Sequence, residues 1–369
     1  MSRRGDNIHK RSDGRWEGRY ISSRDEGGKA VYSSVYARSY ADCSEKLKLA
    51  RCGLLPVSNP ITVSELFSAW LLGRKNTVKQ STYASYNNLF VSYISEPLGG
   101  KRVESLNAFM LNRFTDDLMT LGGRNGQGLS PVTVQAVMIL LRSVLEYGAK
   151  EYELPNPAKN ISLPKAENAE ITLFTPFEAA RIKAAALRGD SYDLGILLTL
   201  YTGLRIGELC ALTWGDIDIT GQIVHINKTL FRIANPQGTA PKTVVVIDSP
   251  KSKSSVRDVP LPTFMLTALA RLKRNQPDSN YFLTCSPGYT EPRSYALRYR
   301  AFLKRLNIPY RKFHSLRHTY ATECIKCGVD VKSLSELLGH SSVKITLERY
   351  VHSDMELKRR ELEKLWSAL

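Results

Sequence analysis

The chain has 369 residues, 52 Lys+Arg against 35 Asp+Glu, a formal charge of +17, and 43% hydrophobic residues. That apolar content excludes a disordered basic tail, and at about 100–200 residues per domain the length predicts two or three domains. No run of roughly 18 apolar residues stands out, so no membrane span is expected, and the charge points to a polyanionic partner, nucleic acid foremost.

Met1-Ser2-Arg3-Arg4-Gly5 runs into polar sequence without an apolar h-region, so no secretory signal is expected. Cys43, Cys52, Cys210, Cys285, Cys324 and Cys327 are scattered, which fits a reducing cytoplasm better than a disulfide framework. From Arg15 to Ser22 the chain alternates, with Trp16, Gly18 and Tyr20 on one face and Arg15, Glu17, Arg19 and Ile21 on the other. Asp25-Glu26-Gly27-Gly28-Lys29 reads as a turn, and Ala30–Arg38 as another strand. Ser39-Tyr40-Ala41-Asp42 resembles a capping box that opens a helix through Leu49. These two strands and the helix place a small sheet with Arg15 and Arg19 on a basic strand face in residues 1–55, and the unit is expected as a three-stranded sheet plus a helix.

A linker at 54–60 precedes helical sequence. Thr62-Val63-Ser64-Glu65 is a capping box, followed by Leu66, Phe67, Trp70 and Leu71 at helical spacing. A second helix holds Tyr83, Tyr86, Phe90 and Tyr93, a third runs from about Asn107 to Leu118, and a fourth begins at Ser130-Pro131. Residues 61–158 are expected as an all-α bundle, with Lys75, Lys79 and Arg142 as candidate phosphate contacts. Prolines at 155, 157 and 164 mark a second linker. From 170 to 369 a mixed, mainly helical domain with a small antiparallel sheet is expected. Its helices lie at 176–187 and 191–201, from Ile206 and from Phe264 onward, and its strands at Gln222–Phe231 and Thr243–Asp248.

Four stretches of that last segment carry chemistry. Thr202-Gly203-Leu204-Arg205-Ile206-Gly207-Glu208 sets a glycine turn before a helix, with one arginine projecting. Ser249 to Pro260, with Lys251 and Lys253, reads as a basic hairpin turn between two strands. His314-Ser315-Leu316-Arg317-His318 puts His314 and Arg317 on one helical face and Leu316 into packing. Leu338-Gly339-His340-Ser341-Ser342 is followed ten residues after His340 by Tyr350. Taken singly, each has an ordinary reading: a corner arginine, an exposed loop, a half-buried tyrosine.

Arg, Lys, His-x-x-Arg, Gly-His and Tyr, in that order from Arg205 to Tyr350, is the pattern of the tyrosine recombinases, or phage-type integrases. The chain resembles that family from about residue 61 onward. Residues 1–55 resemble the arm-binding domain of integrases from temperate phages and Gram-positive conjugative transposons. The resemblance implies a site-specific DNA recombinase that integrates and excises a mobile element without metal, ATP or other cofactor. Cleavage would pass through a 3′-phosphotyrosyl link and a Holliday junction. The implied partners are double-stranded DNA at core and arm sites, three further copies in a homotetramer, and an excisionase or DNA-bending accessory protein. The implied location is the bacterial cytoplasm, at the nucleoid.

The resemblance also assigns roles. Arg205 and Arg317 would clamp the phosphate, His340 would add a hydrogen bond, and Tyr350 would attack. His314 is the candidate base, and Glu208 supports the site from behind. Lys251 is the general acid, because Lys251-Ser252 matches the family's pair better than Lys253, which is left as a DNA contact. The chemistry agrees. A phosphorane-like transition state needs forked donors on its oxygens, and a phenol with a pKa near ~10 needs help to lose its proton. The segment offers no acidic cluster for two-metal chemistry. A type IB topoisomerase-like enzyme and a non-catalytic DNA-binding regulator are the alternatives. His318 is expected to cap or pack, and His9, His225 and His352 show no partner in the sequence. Cys324-Ile325-Lys326-Cys327 reads as two cysteines packing one helix, not as a zinc site. Leu362, Leu365, Trp366 and Leu369 form an amphipathic stripe in a tail that docks on its own domain or on a neighbour.

Overall fold

A computed structural model describes residues 7–11, 14–24, 29–51, 61–123, 126–165, 172–235, 240–249 and 253–350, with 359, 362, 363 and 366 beyond. It divides into two units, one formed by residues up to 79 and 86–166, the other by 80–85 and the chain from 167.

In the first unit, β1 (Ile8–Lys10), β2 (Trp16–Arg24) and β3 (Ala30–Ala37) form an antiparallel sheet in that order. Helix α1 (Tyr40–Arg51) starts where Ser39 Oγ accepts the Asp42 N–H at 3.1 Å. Ile8, Val35, Cys43 and Leu47 make its core. Glu17 departs from the expected open face. It is buried under Ser34 Oγ at 2.8 Å and Arg11 Nη1 at 2.9 Å, and the Ser34 hydrogen bond leads in holding its carboxyl below the usual range. His9, expected without a partner, approaches the same carboxylate at 3.3 Å. Arg15, just before β2, and Arg19 on it remain exposed.

Helices α2 (Val63–Arg74), α3 (Gln80–Leu89), α4 (Ala108–Thr120) and α5 (Pro131–Glu151) follow, with a π-helical stretch at Phe90–Gly99 continuing α3. Two of their starts carry the expected caps, Thr62 with Glu65 and Ser130 ahead of Pro131, and Asn107 caps α4 as well. Helix α5 is long and apolar enough to cross a membrane, but its Val134, Val137, Met138, Leu141 and Leu145 are buried as core. Lys75 is exposed just past α2, and Lys79 caps α3 half-buried. Arg142 corrects the expectation of a phosphate contact: its Nε and Nη2 donate to the carbonyls of Ala158 and Ile161 at 3.3 and 3.2 Å, stapling the linker to α5.

The second unit holds α6 (Pro176–Arg188), α7 (Ser191–Thr202) and α8 (Ile206–Ala211), then β4 (Ile217–Asp218), β5 (Ile223–Ile226), β6 (Thr229–Ala234), β7 (Thr243–Asp248) and β8 (Arg257–Pro260). Helices α9 (Thr263–Lys273), α10 (Pro292–Arg305), α11 (His314–Lys326), α12 (Val331–Leu338) and α13 (Val343–Tyr350) complete it. Leu194, Leu197, Leu209, Trp214, Phe282, Tyr295 and Leu316 lie in one continuous core.

Two expectations about strands need correcting. Gln222–Phe231 is not one strand. Asn227 Nδ2 and Lys228 Nζ both reach the Asp216 carboxylate, at 3.1 and 2.6 Å, and the chain turns there. The segment therefore supplies β5 to the sheet β4-β5-β8 and β6 to the sheet β6-β7. For the same reason the segment from Ser249 to Pro260 is no hairpin turn: β7 pairs with β6 and β8 with β5, so the basic segment crosses between sheets.

Candidate active site

Two helices end in left-handed glycines, and those ends build the site. Gly203 (φ +68°) closes α7 and Gly339 (φ +62°) closes α12. A side chain at either position would be strained by that φ and crowded, with Tyr320 at 2.7 Å from a Cβ at 203. The last carbonyls of a helix have no partner within it and carry its negative dipole end. In α12 three arginines take them in succession. Arg257 Nε donates to Leu337 O at 2.6 Å, Arg317 Nη2 to Leu338 O at 2.5 Å, and Arg205 Nη2 to Gly339 O at 3.3 Å. Arg317 Nη1 also donates to Gly203 O at 2.7 Å, so one guanidinium ties both glycine ends together.

Glu208 sits among these cations, 3% exposed. It accepts from Arg257 Nη2 at 2.9 Å and Arg205 Nη1 at 2.7 Å, and from the Arg205 N–H at 2.9 Å. Burial alone would raise its pKa. The hydrogen bond and charge of Arg257, then Arg205, outweigh that and hold it near about 2. Burial, followed by the Arg205 charge, lowers Arg317 to about 9, so it stays a cation at neutral pH.

Arg205, His314, Arg317, His340 and Arg349 line one cleft, with Ser255 and Ser341. Four of the residues expected in the site thus share a single depression. His340 Nδ1 is 2.8 Å from Thr346 Oγ1, and its ring runs parallel to Tyr350 at 6.3 Å between centroids. Burial leads in bringing His314, His318 and His340 each to about 4, followed by His318 and then arginines at His314 and by arginines at the other two, so all three are neutral at physiological pH.

Tyr350 is 7% exposed at the end of α13. Its Oη is 2.9 Å from His318 Nδ1, and the cationic side chains of Arg317 and Arg349 act on it. Burial raises the phenol above its usual range, and the two arginines pull the other way. The base was expected at His314; the structure sets His318 against the phenol, with His314 edge-on to His318 at 4.5 Å between centroids.

His318, Arg257 and Arg349 are the site residues the sequence reading passed over. His318 stands one helical turn after His314, which was a usable signal. Arg257 alternates with Asp258 in β8 and faces inward, as the burial of Arg257 and Val259 shows. Lys251 lies outside the described residues. Lys253 begins a short 3-10 turn ending at Ser255, and its side chain also lies outside them. His225, expected without a partner, is 2.7 Å from Asp258 Oδ1. Cys327 is exposed at the α11 terminus while Cys324 is half-buried, so only one of the pair packs. Among the described residues no group of three or more His, Cys, Asp or Glu could hold a metal ion. Leu362 and Trp366 are exposed; His352, Leu365, Leu369 and most of the tail lie outside the described residues.

Residues 172–356 match the Phage integrase family. A tyrosine recombinase XerC-like protein of Caldanaerobacter subterraneus subsp. tengcongensis is 30% identical over 371 residues, covering 93% of each chain. The chain belongs to the phage integrase family. It is a tyrosine recombinase, an enzyme of site-specific DNA recombination, of the conjugative-transposon type. The transposase from transposon Tn916 of Enterococcus faecalis is 27% identical over 216 residues, 53% of this chain and 51% of that one. In fold, this recombinase is similar to the integrase of transposon Tn1549, solved in complex with transposon right end DNA. The TM-score is 0.67 and the identity 24%, over 83% of this chain and 99% of that one.

Proposed function

We propose that Tyr350 Oη attacks a scissile phosphodiester seated in the cleft, leaving a 3′-phosphotyrosyl link and a free 5′-hydroxyl. The observation that carries this reading is the convergence of Arg205, Arg317 and His340 on one cleft with the Tyr350 ring behind His340. Arg205 and Arg317 turn forked donors to the nonbridging oxygens, where charge grows in the transition state. His340 is neutral and offers one N–H more; His314 lines the cleft beside them. Glu208 orients Arg205. Lys251 protonates the departing 5′-oxygen, and Lys253, Lys75, Lys79, Arg15 and Arg19 contact DNA backbone.

The reaction serves integration and excision of a mobile element. Exchange between two duplexes cuts four strands with one nucleophile each, so four protomers act together and pass through a Holliday junction. The chain is organised as an arm-type unit at 1–55, a core-binding unit at 61–158 and a catalytic unit from 170. The exposed Arg15 and Arg19, at the start of β2 and on it, support the first of these. An excisionase or bending protein sets direction, and the work is done in the cytoplasm at the nucleoid.

Trapping on a nicked core-site duplex tests the reading. The wild type accumulates a covalent protein–DNA adduct, whereas Tyr350→Phe binds the duplex and forms none. An adduct with the Phe variant overturns Tyr350 as nucleophile, and its absence from the wild type as well points to a binding protein.

A further inference from the structure

We propose that His318 Nδ1, and not His314, takes the phenolic proton of Tyr350 as it attacks, an inference that rests on the reading of Tyr350 as nucleophile. The geometry is specific: Tyr350 Oη and His318 Nδ1 are 2.9 Å apart, with both residues 7% exposed. A phenol in that position has one hydrogen to give. The charged groups acting on it, the guanidiniums of Arg317 and Arg349, have only hydrogens to offer. With Nδ1 unprotonated, the imidazole is the acceptor within reach of that hydrogen, and the charges of the two arginines favour the phenolate. His314 meets the edge of the His318 ring, at an interplanar angle of 87°, and opens on the cleft where the phosphate binds.

The step balances. The Tyr350 Oη–P bond forms as the bond from phosphorus to the 5′-oxygen breaks. The phenolic proton passes to His318 Nδ1, and the 5′-oxygen receives its own proton from the general acid. In the rejoining step a 5′-hydroxyl attacks, and His318 returns its proton to the departing phenolate. No outside reagent is consumed.

The surroundings also explain why the transfer waits for DNA. The groups facing His318 are Arg317 and His314 on its own helix and Arg349 and Tyr350 on α13, with Arg205 nearby across the cleft. With the cleft empty, burial and then the charges of Arg349 and Arg317 disfavour a protonated His318, and Glu208 is already committed to Arg257 and Arg205. A phosphodiester brings one negative charge, and the phosphorane a second, into contact with those arginines. The added charge makes an imidazolium acceptable at the moment the phenol must lose its proton.

The test uses full-length protein on a nicked core-site duplex, with adduct formation as the readout and gel shift as the check on binding. His318→Asn keeps an acceptor near the phenol but cannot take the proton. It is expected to slow adduct formation by ~10²-fold or more, the usual share of a positioned base. Its rate is then expected to climb with pH by about tenfold per unit above neutrality, because the solvent must ionise Tyr350 first, while the wild type shows a shallower rise. His314→Asn is expected to keep the wild-type pH profile. A His318→Asn rate within about threefold of wild type, or a slow rate with the wild-type profile, overturns the proposal, as does the steep profile appearing in His314→Asn instead. His318→Gln replaces the Asn variant if that one does not bind the duplex, and is read by the same outcomes. Adducts formed by Tyr350→Phe would instead sink the nucleophile assignment, whatever the His318 variants do.

Discussion

Glu208 and Arg257 meet as two forks, Oε2 to Nη2 at 2.9 Å and Oε1 to Nη1 at 3.1 Å, with both side chains buried. The same carboxylate holds Arg205, so one anion fixes a clamp arginine against a structural one. Glu208→Gln keeps the shape but leaves two guanidiniums without a countercharge. Breaking a buried pair in this way costs about 3–5 kcal/mol. Urea unfolding should show that loss, and adduct formation should slow even where the protein remains folded.

Acid should weaken the catalytic unit in two stages. The three histidines titrate at 6.5 when free and at about 4 in the fold, so the unfolded chain gains protons first and stability falls as pH drops from 6.5 toward 4. Glu208 titrates at 4.5 when free and at about 2 in the fold. Its contribution is complete above 4.5 and is lost as pH falls from there toward 2. Urea midpoints measured across both windows should decline in each, and Glu208→Gln should flatten the lower one. A midpoint unchanged between neutrality and about pH 4 would show that the histidines are solvated.

Arg205→Ala and Arg317→Ala should both slow cleavage by at least ~10²-fold, since each removes preorganised donors. They should differ in stability. Arg317 is 1% exposed and its loss strands the carbonyls of Gly203 and Leu338, at about 1–3 kcal/mol for each buried group left unpaired. Arg205 is partly open to solvent. Thermal melts should separate the two variants clearly.

A bridging sulfur at the 5′ position makes a leaving group that needs no proton. Lys251→Ala should be severely slow on normal DNA and largely rescued on the sulfur substrate, whereas Lys253→Ala should show a mild binding defect indifferent to sulfur. Rescue of Lys253→Ala alone would exchange the two roles.

Local chemistry was the legible part. Thr62, Asn107 and Ser130 announce their helices because a cap and its target N–H are three residues apart. The break between β5 and β6 was hidden, because it depends on Asp216, which reaches Asn227 and Lys228 only after folding. The spacing from His314 marks His318, but its contact with Tyr350 was hidden for a similar reason: that partner lies 32 residues away and arrives when α13 folds back. Arg142 shows the third kind of miss. A positive charge in a sequence does not reveal whether it meets a phosphate or a carbonyl.

The end of α12 offers only main-chain oxygen to the three arginines, and every residue type carries that atom. Exchanging Leu337 or Leu338 for another apolar side chain of similar volume leaves the anchor in place. Inserting one residue between Ser335 and Gly339 does not, because each residue added to a helix rotates its C-terminal end by ~100° and advances it by ~1.5 Å. Arg205, Arg257 and Arg317 would then lose their acceptors together. The phosphate clamp is thus written in the length of a helix, and tolerates spelling changes better than a change in count.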